Sequence, residues 1–190
     1  MENILVVTRA QKSIAFLTET LNTVFCGATL SVLHSGAQAR RQFAERNFDL
    51  AVINAPLTDE SGESLASFMA AKEETQVILI AESEFFDEIS AVTENGGVLV
   101  VSRPLDRNIF CSALKLAQFT QNRLKKMRGE TIKLKQKIED IRIIDRAKWV
   151  LATNLKFSEQ QAHRFIEKQA MDSRFSRRKI AEEILKTYDG

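Results

Sequence analysis

Eight basic side chains in the last third of the chain carry the plainest chemistry: Arg146, Lys148, Arg164, Lys168, Arg174, Arg177, Arg178 and Lys179. Guanidinium and ammonium groups at such density neutralise phosphates, and they do so without regard to base sequence. Trp149 lies among them, either as a stacking platform for a base or as a core or dimer contact. Nothing resembling a catalytic constellation accompanies them. The sequence has no convergent nucleophile–base pair, no phosphate-binding glycine loop and no cluster of metal-ligand types, and its histidines are His34 and His163 alone. The expectation is a non-enzyme that needs neither a metal nor an organic cofactor.

Three short helices must position those basic groups. Apolar residues recur at helical spacing as Ala147, Val150 and Leu151, then Ala162, Phe165, Ile166 and Ala170, then Ile180, Ala181, Ile184 and Leu185. Ser158 followed by Gln161 forms a capping box that opens the middle helix. Ser176 is a second N-cap candidate. The alanines let the backbones approach closely and leave the cations on the outer faces.

This order of residues (Arg146-Ala147-Lys148 with Leu151, Ser158-Glu159 with Ala162, Ala170-Met171, Ile180-Ala181 with Ile184) resembles the ANTAR domain. That family is a three-helix RNA-binding module of transcription antiterminators. Two positions depart from its pattern. Ala152 stands where a methionine is frequent, and Trp149 where a small or aliphatic residue is common. Neither departure removes a basic group.

Ahead of this module, residues 105–155 contain no proline and read mostly as helix. Ile109, Ala113, Leu116 and Ala117 are expected to cover a sheet. Farther on, Leu124, Met127, Thr131, Leu134, Ile138 and Ile141 alternate at three and four residues, flanked by Lys125, Lys126, Lys133, Lys135 and Lys137. This spacing predicts a parallel homodimeric coiled coil, with an amphipathic helix packed within its own chain as the alternative. Gly129 weakens that helix by roughly 1 kcal/mol relative to alanine and marks a candidate bend.

The first 120 residues alternate between two periods. Short apolar runs at 4–7, 30–33, 50–53, 77–80 and 98–101 read as buried strands. Helical periodicity at 11–25, 37–46, 65–71 and 86–92 separates them, with Asn95-Gly96-Gly97 ending the last. Such alternation predicts an α/β fold, a flavodoxin-like doubly wound parallel sheet of order 2-1-3-4-5. The expected division is a body at 1–120, a stalk at 121–144 and the three-helix module at 145–190.

Asp49-Leu50-Ala51-Val52-Ile53-Asn54, the loop from Ala55-Pro56 to Gly62, and Arg103-Pro104 resemble the receiver domain of response regulators. The resemblance also implies where the receiver chemistry should sit, and every one of those positions is changed. The acidic pair after the first strand reads Thr8-Arg9, the phosphate-accepting aspartate reads Asn54, the hydroxyl residue reads Ala81, and the lysine reads Arg103. An asparagine amide forms no acyl phosphate, and Thr8-Arg9 is no nest for a hard divalent cation. Arg9, if it points inward, would place positive charge where the metal should be. The expectation is a pseudo-receiver, with a different doubly wound domain as the alternative.

Charge divides the chain. Residues 1–120 hold 9 Lys and Arg against 15 Asp and Glu, while residues 121–190 hold 18 against 10. An acidic body (−6) tied to a basic tail (+8) suits a tail that meets nucleic acid. Cys26 and Cys111 read as buried free thiols in a reducing cytoplasm. The N-terminus lacks the basic segment of a signal peptide, and no apolar run reaches membrane-spanning length. The resemblance implies an antiterminator that binds hairpins in mRNA leaders. With the receiver positions changed, control without phosphorylation is expected, either by a ligand-sensing partner protein that holds the regulator inactive or by the acidic body masking the basic tail. The competing readings are a protein-interaction scaffold and a DNA-binding response regulator.

Overall fold

The computed structural model describes residues 1–72, 74–93 and 96–188. It divides into two compact units, Met1–Lys125 and Lys126–Gly190.

The first unit runs β1 (Asn3–Thr8), α1 (Gln11–Val24), β2 (Thr29–Leu33), α2 (Gly36–Glu45), β3 (Leu50–Asn54), α3 (Glu63–Ala70) and β4 (Gln76–Ala81). A single 3₁₀ turn (Ser83–Phe85), α4 (Phe86–Thr93), β5 (Val98–Ser102) and the start of α5 (Arg107–Leu155) follow. The strands form one parallel sheet in the order β2-β1-β3-β4-β5, the predicted order. Alternation along each strand sends side chains to opposite faces. Leu5, Val7, Ala51, Ile53, Val77 and Leu79 enter one core with residues of α2, α3 and α4. Ile4, Val6, Leu50, Val52, Ile78 and Ile80 enter the other, against Leu17 and Leu21 of α1 and Phe110 and Leu114 of α5. Because helices cover both faces, β3 is buried at all five positions, as its unbroken apolar run requires.

Helix α5 meets the sheet one residue out of the expected register. Ile109 and Leu116 are exposed, whereas Phe110, Leu114 and Ala117 are buried and Ala113 is half-covered. The sequence carries two adjacent apolar stripes here, and turning Phe110 inward removes more apolar surface from water than turning Ile109. Asp106 holds the start of the helix by accepting from the Asn108 and Ile109 amides at 2.7 and 3.1 Å. Cys26 also departs from expectation: it is exposed, and Cys111 is intermediate. Helix α1 stops at Val24, Phe25 turns into the core, and Gly27 at φ 82° takes the left-handed turn that leaves Cys26 outside. The expected helix stop at 95–97 falls partly on Asn95, outside the described residues; Gly97 has φ 74°.

The second unit contains the C-terminal part of α5, α6 (Glu159–Ser173) and α7 (Arg177–Tyr188). The first of the three expected helices is therefore the end of a 49-residue helix. Gly129 sits inside that uninterrupted helix and does not separate two, because its one-residue cost is small beside continuous backbone bonding. The core consists of Ala147, Val150 and Leu151, Ala162, Ile166 and Ala170, and Ile180, Ala181 and Ile184. Phe157 and Phe165 meet edge to face beside it, ring centroids 5.7 Å apart. The capping box is present in both halves: Ser158 Oγ accepts from the Gln161 amide at 3.2 Å, and Gln161 Oε1 accepts from the Ser158 amide at 2.8 Å.

Candidate nucleic-acid interface

Two groups of residues were singled out by the sequence, one at the strand ends of the first unit and one on the second unit. They differ in how their polar groups are used.

At the strand ends, parallel register sets Thr8 of β1 beside Asn54 of β3. Both are buried, at 0% and 4% exposure. Asn54 Nδ2 donates to Thr8 Oγ1 at 2.9 Å, and the Ala10 amide donates to the same hydroxyl at 3.1 Å. Arg103, just past β5, donates from one guanidinium nitrogen to Asn54 Oδ1 and to the Ala55 carbonyl. Its other terminal nitrogen pairs with Glu82, and Ser83 Oγ donates to the Arg103 carbonyl. The structure thus joins Thr8, Asn54 and Arg103, with Ala81 buried at the end of β4 beside them in sequence register. Arg9 is exposed instead. The positive charge at this place comes from Arg103, because β1 ends with Thr8 inward and the next side chain points to water. Glu82 and Ser83 were not foreseen, since no motif marks a residue that merely completes another's bonding.

The loop after β3 is held by similar means. Asp59 accepts from the Gly36 and Ala37 amides at the start of α2, at 2.7 and 2.9 Å. Those Ala37 and Gly36 amides hold its carboxyl below the ordinary aspartate value. Glu60 pairs with Arg40 at 2.9 Å, and Thr58 Oγ1 donates to the His34 carbonyl at 3.0 Å. On the edge away from this loop, burial of Asp49 opposes its charge. Bonds from the Glu2 amide, the Lys125 ammonium and the Asn3 amide outweigh that and lower its pKa. Among the described residues no group of three His, Cys, Asp or Glu is placed to hold a metal ion.

On the second unit the basic residues sort into two kinds. Arg178 bonds to Asp140 of α5 and Glu182 of α7, each at 2.8 Å, so it ties two helices together. Those Glu182 and Asp140 bonds raise its already high pKa further. Lys148 bonds to Asp145 at 2.9 Å and is largely covered. Arg177 shares Glu167 with His163, at 3.1 and 3.3 Å. Arg146 is exposed on α5. Arg164 and Lys168 on α6, Arg174 at its end and Lys179 on α7 are exposed and form no ion pair among the described residues. Four cations thus face water without an ion partner among the described residues.

Trp149 is exposed. It lies eleven residues past Ile138, about three helical turns, and so stands on the same side of α5 as Ile138. That side also exposes Met127, Leu134 and Ile141. Sequence reasoning passed over Phe175 and Tyr188, and used Met171 only for the resemblance; all three are large and exposed. The available signal was an aromatic in a run of arginines, Arg174-Phe175-Ser176-Arg177-Arg178.

Comparison with known proteins finds likenesses for each unit. Residues 133–185 match the model of the ANTAR domain. The transcriptional regulatory protein PdtaR of Mycobacterium tuberculosis is 24% identical over 139 residues, covering 73% of this chain and 68% of its own. The signal receiver domain of an HD domain-containing protein from Pseudomonas fluorescens Pf-5 superposes with a TM-score of 0.58 at 23% identity, covering 66% of this chain and 92% of that one. A CheY-like response regulator receiver domain from Methanospirillum hungatei JF-1 gives 0.57 at 17% identity, covering 65% and 98%. At these identities the structural likeness establishes the fold of the first unit.

Proposed function

We propose, on the premise that this chain is an ANTAR-type response regulator with a receiver domain, that it binds hairpins in nascent mRNA leaders as a homodimer and keeps terminator stems from forming. The observation that carries the reading is the exposed set Arg164, Lys168, Arg174 and Lys179, without ion pairs among the described residues, within the stretch that matches the ANTAR model. Cations without internal partners are free to neutralise phosphates, and releasing the counterions of RNA supplies much of the affinity. Arg146 and Arg177 add to that surface in this reading. Arg178 and Lys148 act mainly by holding helices.

The working division keeps a receiver body at 1–120, a coiled-coil stalk at 121–144 and the RNA reader at 145–190. Support for the stalk is the exposure of Met127, Leu134, Ile138 and Ile141 at heptad spacing, which a second copy would cover. Two readers on one stalk would engage two hairpins together. The protein works in the cytoplasm in this reading; among the described residues no helix is long and apolar enough to cross a membrane.

The body takes up no phosphoryl group in this reading, and it answers to a ligand-sensing partner protein instead. Support comes from Asn54, whose amide is used on both sides, by Thr8 and by Arg103. The test is filter binding of the full chain to tandem leader hairpins, single hairpins and duplex DNA at two salt concentrations. Tandem hairpins should bind tightest, and equal binding to duplex DNA rejects the reading. Incubation with acetyl phosphate and Mg²⁺ should leave the intact mass unchanged; a stoichiometric adduct rejects the silent receiver.

A further inference from the structure

We infer that the turn between α6 and α7 holds an unpaired RNA base against the ring of Phe175. This inference rests on the RNA-binding reading and names the part of the RNA that the turn recognises.

Arg164, Lys168 and Met171 follow one another at four and three residues, so they form a single stripe along α6. All three are exposed, Met171 at 74%. The stripe runs toward the end of the helix at Ser173. There Arg174 takes the left-handed conformation, φ 57° and ψ 26°, with its amide donating to the Met171 carbonyl at 3.4 Å. The chain turns out of the helix, and Phe175 follows at 53% exposure. On its far side Ser176 starts α7: its Oγ accepts from the Lys179 amide at 3.2 Å, and its carbonyl from the Ile180 amide at 3.2 Å. A helix cap on each side therefore holds the residue that presents the ring.

Phe157, Phe165 and Trp149 of the same unit are placed differently. Phe157 and Phe165 pair with each other at the core. Trp149 lies on the stalk side of α5. Phe175 has no aromatic partner among the described residues; Arg174 precedes it and Arg177 lies two residues on. An apolar ring at the end of a cationic stripe suits a base better than an apolar protein surface. A base offers a π face to the ring while its phosphates meet the cations. Paired bases are already stacked within a duplex, so the occupant is a splayed loop base.

The test is a cycle of protein and RNA changes with the full chain and its best-binding leader hairpin. Phe175→Ala should weaken binding roughly tenfold, within the range of base–aromatic stacking. Phe175→Tyr should keep most of the affinity. Phe175→Leu, which preserves apolar packing, should lose as much as alanine. Replacing loop nucleotides one at a time by abasic sites should identify one position that costs the wild type a similar factor and costs Phe175→Ala nothing further. Wild-type binding with unaffected Phe175→Ala and Phe175→Leu overturns the stacking site alone. So does a Phe175→Ala loss that persists undiminished with every abasic RNA, or retained affinity in Phe175→Leu. A wild type that binds none of the hairpins removes the RNA reading together with this inference.

Discussion

The strand ends of the first unit and the outer surface of the C-terminal unit both concentrate polar side chains, and they treat them in opposite ways. Thr8, Asn54, Arg103 and Glu82 satisfy one another. Arg164, Lys168, Arg174 and Lys179 face water without ion partners among the described residues. A buried amide whose oxygen and nitrogen are both engaged has little left for a ligand without breaking existing bonds. An exposed cation gives up only hydration and mobile counterions when it meets a phosphate. The contrast separates a closed polar network from an open cationic surface.

The largest expected effect comes from the proposed stalk, which as a dimer would multiply whatever the open surface does. Leu134→Lys with Ile138→Lys should convert a dimer to a monomer by light scattering while the sheet signal persists in circular dichroism. Affinity for tandem hairpins should fall by about 10²-fold or more, the scale of lost avidity, and affinity for a single hairpin much less. A wild type that is monomeric at tens of micromolar breaks this half of the comparison.

Next come the cations themselves. Lys168→Ala with Arg174→Ala should weaken hairpin binding and lower the slope of log affinity against log salt by about 1.4 to 1.8, for two phosphates released. Arg178→Ala should do the converse, lowering the melting temperature through loss of the Asp140 and Glu182 bonds while leaving the salt slope nearly unchanged. If the two variants behave alike, the distinction between structural and free arginines is wrong.

The closed network is tested by Arg103→Ala. It leaves the buried Asn54 carbonyl without its donor and should cost about 1–3 kcal/mol of unfolding free energy in denaturant titration. Hairpin affinity at saturating folded protein should stay within about twofold, a difference of under 0.5 kcal/mol. A large affinity loss would mean that the strand ends govern the reader.

The smallest effect concerns acid. Asp49 and Asp59 have folded pKa values below their unfolded ones. Their stabilisation is therefore full above the unfolded aspartate value near 3.8 and is lost as pH falls below it toward the depressed folded values. With stabilities matched at neutral pH, Asp49→Asn should shift the acid-unfolding midpoint of the first unit slightly downward, because the variant has no Asp49 stabilisation to lose. An unchanged midpoint would remove Asp49 from the acid response.

What the sequence determined by itself is what repeats locally. The five strands, their parallel order and the core residues of the C-terminal helices were legible because alternation and 3.6-residue periodicity record which side of an element meets the interior. The Ser158–Gln161 capping box was legible for the same reason, since both partners lie within one turn. Only the tertiary structure decided the rest. Adjacent stripes on α5 compete, and the sheet selects Phe110 over Ile109. Arg103 rather than Arg9 reaches Asn54 because their strand ends converge from 49 positions apart. Arg178 is paired and Lys168 is not, because Asp140 comes to Arg178 from 38 residues away. Long charged side chains look alike in sequence, and the fold decides which of them meets a partner and which is left to the solvent.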